Sequence, residues 1–332
     1  MGNALKLFFY TFLFLFLSIS PVIAQVIVKK TFTKMGSDFE VTVVAETENE
    51  GTYFINLAIE EIERIEQLIS SWNVNSQTSL INKNAGIQAV AVKKELYDLI
   101  ERAIGISKIT DGAFDISYAS MDRIWRFDGS MRTMPSDEEI KASVAKVGYK
   151  NVILYPENSA VFLTKKGMKI GFGAIGKGYA ADKAKQVLQS KGVKAGIINA
   201  SGDMNAWGKQ PNGTDWKVAI TNPLNKSEAY ALLPLYNKAV VTSGNYEKFV
   251  TFNNKRYSHI IDPRSGYPAS GILSATVFAP SAELADALAT SIFVMGVSQG
   301  INRVNQLPDV DGIIVEDNGA ISTSKHIQIN ND

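Results

Sequence analysis

The chain has 332 residues, 45% of them hydrophobic, enough to bury a full core in one large or two intimate domains. It contains no cysteine, which excludes disulfides, thiolate metal sites, a cysteine nucleophile and lipid attachment through a cysteine. Lys and Arg number 34 against 33 Asp and Glu, and the first 24 residues hold one Lys and no acid. Without them the balance is 33 against 33, a net charge of zero that argues against nucleic acid or an anionic membrane as main partner.

Residues 1–24 have the layout of a secretory signal peptide, and 25–332 form the mature domain. A charged start ending at Lys6 precedes an apolar run from Leu7 to Leu17, and Val22-Ile23-Ala24 is a small-residue cleavage pattern before Gln25. The protein is therefore expected to be exported, periplasmic or envelope-associated. Left uncleaved, the same segment would almost reach across a bilayer as an anchor. Lys6 occupies the Ser/Thr place of a myristoylation signal, so that pattern fails.

After Gln25 the alternating runs Val26–Thr33 and Glu40–Ala45 read as strands. Phe54–Ser71 reads as an amphipathic helix with Phe54, Ala58, Ile62, Ile65 and Ile69 on one face. Ser136-Asp137-Glu138-Glu139 is a capping box that opens a short helix to Val147. Further helices are predicted at 94–108, 177–191 and 281–296. Strands are predicted near 151–155, 160–164, 195–199, 216–221, 229–235, 239–243, 247–252, 256–261, 273–279 and 311–316. Long strand runs broken by a few helices indicate an α+β fold and not a regular βαβ wind.

Lys169–Asp182 reads KIGFGAIGKGYAAD. Its Gly171, Gly173 and Gly176 match the GxGxxG dinucleotide fingerprint. A nicotinamide-binding unit also needs a good first strand and an acidic residue about 20 positions on. Here the next strand ends in Asn199-Ala200-Ser201. What survives is the physics: backbone N–H groups can approach an anion, the helix start favours negative charge, and Lys177 adds a donor. The alternative is a tight strand-to-helix turn with no ligand.

Four other stretches carry chemistry. Asp286 and Thr290, at i, i+4 on a predicted helix, project hard oxygen ligands from one face, a set suited to Mg²⁺ sharing its shell with phosphate oxygens and water. A solvated Asp and a Thr bonded back into its helix would look the same. His259, between a predicted strand and the Asp262-Pro263 turn, suits a base at the lip of a cleft. His326, near the tail, reads as structural. Thr242-Ser243-Gly244-Asn245-Tyr246 combines a turn with hydroxyls. Ile197–Trp207 reads as a strand leading into a loop that carries Asp203.

Taken in order, MGSDFEVTV, SSWNVNSQTSLIN, TDGAFDIS, GAIGKGYAAD, NASGDMNAWGK, TSGNYEKF, SHIIDPRSGYP and ADALAT resemble the motif series of the ApbE-like FAD:protein FMN transferases, from about Met35 to Gly296. The resemblance implies an α+β, T-fold-related architecture of mixed sheets with packed helices in one catalytic unit. It implies FAD as substrate, Mg²⁺ on its diphosphate, and transfer of FMN to a Thr or Ser hydroxyl of a partner flavoprotein or membrane redox-complex subunit, with AMP released. Met35 is then expected at the flavin end, Trp72 along a ring slot, and Ala113, Phe114, Asp115, Lys177 and Ile260 on FAD. The Ala174 carbonyl with Asp286 and Thr290 would hold the metal, with Ala289 close by. Asp286 and His259 would be the catalytic pair, His259 as general base. Gly176 stands where the family often has Ala, Ser201 where it often has Gly, and Trp72 where it usually has Tyr. Ser270–Thr276 resembles an acceptor sequence, but Leu273 occupies the modified position, so the acceptor is expected to be another protein. The competing readings are a Mg²⁺-dependent FAD pyrophosphatase, a non-catalytic envelope FAD-binding protein and a nicotinamide oxidoreductase.

Overall fold

The computed structural model describes residues 25–221, 224, 229–245, 249–253 and 255–327; the side chains of 221, 229–231 and 255 are not described. Residues 1–24, where a signal peptide is expected, and Tyr246 fall outside this set. Among the described residues no helix is long and apolar enough to cross a membrane.

The centre is an eight-stranded sheet in the order β1-β2-β6-β7-β10-β13-β14-β15. Its strands are β1 (Val26–Lys34), β2 (Ser37–Ala45), β6 (Gly196–Ala200), β7 (Asp203–Trp207), β10 (Ala239–Gly244), β13 (Ile272–Ala279), β14 (Asp311–Glu316) and β15 (Ile321–Thr323). Every pairing in it is antiparallel. The period-2 alternation of the strands divides two cores. Phe39, Val41, Val43, Ile198, Val241, Ala275, Val277 and Ile314 face a layer of helices. Val44, Ala206, Val240, Phe278 and Ile313 face the other way, onto Trp216, Val218, Ile220 and Leu235. That second cover is the hairpin of β8 (Trp216–Thr221) and β9 (Ala229–Leu235).

The helix layer consists mainly of α1 (Glu48–Ile69), α5 (Gly176–Ser190) and α6 (Ala282–Met295), which pack on one another and on the sheet. All five apolar positions expected of α1 are buried. The helix starts earlier than predicted, because the Thr47 side chain accepts from Glu50 N and caps it, and it ends at Ile69 rather than Ser71. A smaller sheet, β3-β5-β4, joins β3 (Val90–Ala91), β5 (Ala160–Leu163) and β4 (Val152–Tyr155). The helices α2 (Gln77–Lys83) and α3 (Lys94–Ile109) complete that side.

A third cluster gathers Trp125, Ile140 and Ile261 beneath the irregular stretch 121–134. Ile140 comes from α4 (Asp137–Ser143), four residues shorter than the predicted helix to Val147. Its capping box is present as read: Ser136 Oγ accepts from Glu139 N at 3.2 Å, and Glu139 Oε2 accepts from Ser136 N at 2.8 Å. Ser136→Ala is expected to lower stability by about 1 kcal/mol, checked as a shift of the urea midpoint at unchanged slope.

The hairpin of β11 (Phe249–Phe252) and β12 (Lys255–Ser258) leans on the same cluster, with Tyr257 stacked on Trp125 at 6.1 Å. The strand predicted at 256–261 thus stops at Ser258, and Ile261 makes only a single bridge to Pro268. The predicted strand 247–252 begins at Phe249 among the described residues. Strand β7 and the helices α2 and α7 (Val297–Gln306) were not expected from sequence.

Candidate active site

The glycine-rich turn lies where several elements meet. Its Gly171 N–H donates to the carbonyl of Ile116 at 2.9 Å, which places the Ala113-Phe114-Asp115 segment beside it. A methyl group built on Gly171 would lie 3.8 Å from Ser71 Oγ, next to Trp72. One built on Gly176 would lie 2.8 Å from Ile69 and 3.6 Å from Met35 Cε. Four of the motifs therefore converge on one turn although they are far apart in sequence. None of the glycines in this turn adopts a positive φ. They serve close approach, and the tightest is Gly178, one place past Lys177 and outside the GxGxxG triplet.

Met35 itself sits at the β1–β2 turn with φ +53°, and its N–H donates to Glu66 Oε1 at 2.9 Å. Trp72 is 78% exposed, and the Arg123 guanidinium lies over its ring at 5.1 Å. One face of a large aromatic is thus covered by a cation at the rim of the turn. Ala113, Phe114 and Asp115 are buried. The Asp115 carboxylate is already committed to Ser117 N at 2.8 Å, Ser117 Oγ at 2.6 Å and Tyr149 N at 2.6 Å. Burial still lifts it above the usual carboxylate range. What this segment can offer a ligand is backbone, with Asp115 as its internal brace.

The polar centre lies at the first turn of α5. Lys177 forms an ion pair with Asp203, and Asp286 Oδ2 accepts from Gly178 N at 3.2 Å. Burial opposes the charge on Lys177, but Asp203 and Asp286 outweigh it and hold the ammonium above its usual range. Burial pushes Asp286 up to about 8, with Asp203 adding to the shift and Lys177 opposing it. Asp203, expected in a loop, instead lies at the start of a strand. It opens β7 after the tight Ser201-Gly202 turn, and Ser201 takes φ +59° there.

Thr290 lies one turn beyond Asp286 on α6, its hydroxyl 3.3 Å from Ser243 Oγ on β10. Ala289 is fully buried in the core, so it can contribute no more than backbone. Ala174 is half-buried in the turn before α5, four residues ahead of Gly178. Among the described residues no three acidic or His side chains converge into a metal cage. One buried carboxylate, one hydroxyl and a carbonyl nevertheless fit a hard cation that draws most of its shell from substrate and water, as Mg²⁺ does.

His259 follows β12 directly, half-buried, with its ring edge-on to Phe127 at 6.4 Å. Arg256, three residues earlier, donates to the carbonyl of Asn245 at 2.8 Å and so ties the hairpin to the end of β10, past Ser243. Ile260 donates to Ser258 Oγ at 2.9 Å, and its carbonyl accepts from Ala269 N at 2.8 Å. The Asp262–Gly266 turn packs against the segment before Ala113: a methyl group on Gly112 would lie 3.5 Å from Arg264 Cγ.

An antiparallel α+β core, a glycine turn feeding a helix start, and a half-buried lysine between two buried carboxylates at that start bring together groups that can meet an anionic ligand and a cation bound to it. The ApbE family profile matches residues 35–314, and the chain belongs to that family. It is 33% identical over 265 residues to the FAD:protein FMN transferase of Klebsiella pneumoniae (strain 342), covering 79% of this chain and 82% of that one. It is 30% identical to the FAD:protein FMN transferase of Treponema pallidum (strain Nichols) over 280 residues, 79% of this chain and 77% of the other. Among solved structures, the ApbE protein of Thermotoga maritima superposes with TM-score 0.81 at 32% identity, over 90% of this chain and 97% of that one. The flavin transferase ApbE of Vibrio cholerae gives TM-score 0.76 at 25% identity, over 91% and 98%.

Proposed function

We propose that the protein is a Mg²⁺-dependent FAD:protein FMN transferase. The observation that carries this reading is the meeting of Lys177, Asp203 and Asp286 at the first turn of α5, in a chain whose relatives bear that name. In the reaction, a Thr or Ser hydroxyl of an acceptor protein attacks the FMN phosphorus of FAD. The new P–O bond forms as the bond to the AMP phosphate breaks, and AMP leaves.

Bound at Asp286, Thr290 and the Ala174 carbonyl, Mg²⁺ would neutralise charge on the diphosphate. Lys177 and the N–H groups at the start of α5 add positive potential on the phosphate side, and Asp203 holds the lysine in place. His259 takes the proton of the acceptor hydroxyl. Met35 and Trp72 line the ring end of FAD, and the backbone at Ala113–Asp115 and Ile260 borders it.

The test is intact-mass analysis of an envelope flavoprotein domain after incubation with the protein, FAD and Mg²⁺. Transfer adds one FMN, less water, that survives denaturation, with stoichiometric AMP. FMN and AMP in solution with an unmodified acceptor would assign hydrolysis; tight FAD binding without AMP would assign a carrier. We also propose that the chain is exported with cleavage after Ala24, a reading supported by the segment 1–24 and by a first strand that begins at Val26. An envelope fraction whose N-terminal peptide begins at Gln25 is the expected result.

A further inference from the structure

Asp182 closes the GAIGKGYAAD motif and touches nothing that has been given a role in the reaction. It is buried, one turn beyond Gly178 on α5. Its Oδ1 accepts from Ala282 N at 2.8 Å and its Oδ2 from Glu283 N at 2.9 Å. These are the first two amides of α6, donors that no carbonyl within that helix can satisfy. A side chain of one helix therefore caps the start of its neighbour, in addition to the local cap from Ser281 Oγ to Leu284 N.

The arrangement is reciprocal. Asp286 of α6 accepts from Gly178 N in the first turn of α5, just as Asp182 of α5 accepts from the first turn of α6. Both spacings are four residues, and together the two pairings make the helices antiparallel. The helices touch between the two bonds, where Gly178 lies against the Ala282 carbonyl. Asp182 is itself steadied by Asn205 Nδ2, whose Oδ1 accepts from Lys185 Nζ at 2.8 Å.

We propose that Asp182 is a positioning residue for the metal site: by gripping the start of α6 it fixes the register of that helix against α5, and so the place of Asp286. The inference rests on the reading of Asp286 as a metal ligand. A ligand held by one hydrogen bond depends on the frame behind it; partners bonded directly to a ligand contribute about 10–100-fold in metal affinity, and Asp182 acts one helix turn behind that shell, so its effect belongs at the lower end of the range. Asn at 182 would keep the shape but turn an amide N–H toward one of the two backbone donors.

The experiment titrates Mn²⁺ into the FAD-loaded mature protein without acceptor, following loss of the free-ion EPR signal, with Mg²⁺-dependent transfer assayed in parallel. Asp182→Asn is expected to weaken Mn²⁺ binding by about tenfold. It should raise the Mg²⁺ concentration for half-maximal rate in step, with most of the rate recovered at saturation. A residue that only supports folding would lower the melting temperature and leave both titrations in place, and that result overturns the inference. Asp286→Asn is the reference. If it too binds Mn²⁺ normally, the metal reading fails and the inference falls with it; if it loses Mn²⁺ while Asp182→Asn does not, the inference alone is wrong. Should Asp182→Asn not fold, Asn205→Ala removes one support of Asp182 without touching α6. A shift of about threefold in the same direction is expected there, and an unchanged titration rejects the proposal.

Discussion

Asp286→Ala is expected to abolish FMN transfer, whereas His259→Ala leaves a slow but measurable rate. The two residues act on different parts of the barrier. A positioned base contributes about 10²–10⁴-fold, and a strong enough acceptor hydroxyl can lose its proton to water without it. Asp286 is the only carboxylate in the proposed ligand set, so its loss removes charge stabilisation from the phosphoryl group and the departing AMP together. Single-turnover AMP release measures both; equal, mild defects would defeat this division of labour.

The same residue makes a stability prediction of opposite sign. In the absence of metal, burial raises Asp286 to about 8, far above its value in an unfolded chain. The native state then binds more protons than the unfolded state from about pH 4 to pH 8, so the contribution of this group to stability falls as pH rises across that window and is flat beyond it. Asp286→Asn has no such loss and retains an acceptor for Gly178 N–H. Its melting temperature without metal should gain on the wild type between pH 5 and pH 8, on the order of 5 °C, in a variant that is catalytically dead. Parallel melting curves across that range would show that the carboxylate is not uncomfortable where it lies.

Gly178→Ala carries the largest expected structural effect. The added methyl group would meet the Ala282 carbonyl oxygen at 2.1 Å, its carbon at 2.5 Å and Glu283 N at 2.9 Å. All three are backbone atoms, so no rotamer change relieves the contact and α6 must move. A loss of about 3 kcal/mol or more is expected by chemical denaturation. Gly173→Ala is the informative partner: nothing lies within 4 Å of its methyl position, and its φ is not positive. It should fold within about 0.5 kcal/mol of the wild type while weakening FAD binding, because the open space there is where a ligand would come.

Much of this was legible beforehand, for identifiable reasons. Helix α1 announces itself by a 3.6-residue apolar period, and α4 by a capping box whose two bonds are both present. Helix α7 carries the same period in Val297, Gly300, Ile301 and Val304, but Gly296 at φ +81° has the signature of a helix end and hides the second helix that starts directly after it. Strand β7 is harder to read because Ser201-Gly202 resembles the start of a loop, although a two-residue turn of that composition joins strands in register. With β7 goes the pairing of Asp203 and Lys177, which requires β7 to lie beside the start of α5. The glycine motif pointed to the right turn and the wrong glycine. Close approach of Gly178 to Ala282 joins residues more than a hundred positions apart, and no local pattern encodes it. Strand order is hidden for the same reason: β2 pairs with β6 across five α-helices and the whole small sheet between them.

The β1–β2 hairpin has a consequence for how the protein can be displayed. Among the described residues strand β1 is an edge strand, bonded only to β2, and it runs from Val26 to the Met35 turn at the mouth of the site. Nine residues of strand span about 30 Å. The hairpin thus holds Val26 and the Met35 turn at opposite ends of a span that the rest of the sheet stiffens through β2. The N-terminus that cleavage after Ala24 would leave at Gln25 then lies about that far from Met35, so a tag or label added there would stand clear of the mouth and of an acceptor docked on it.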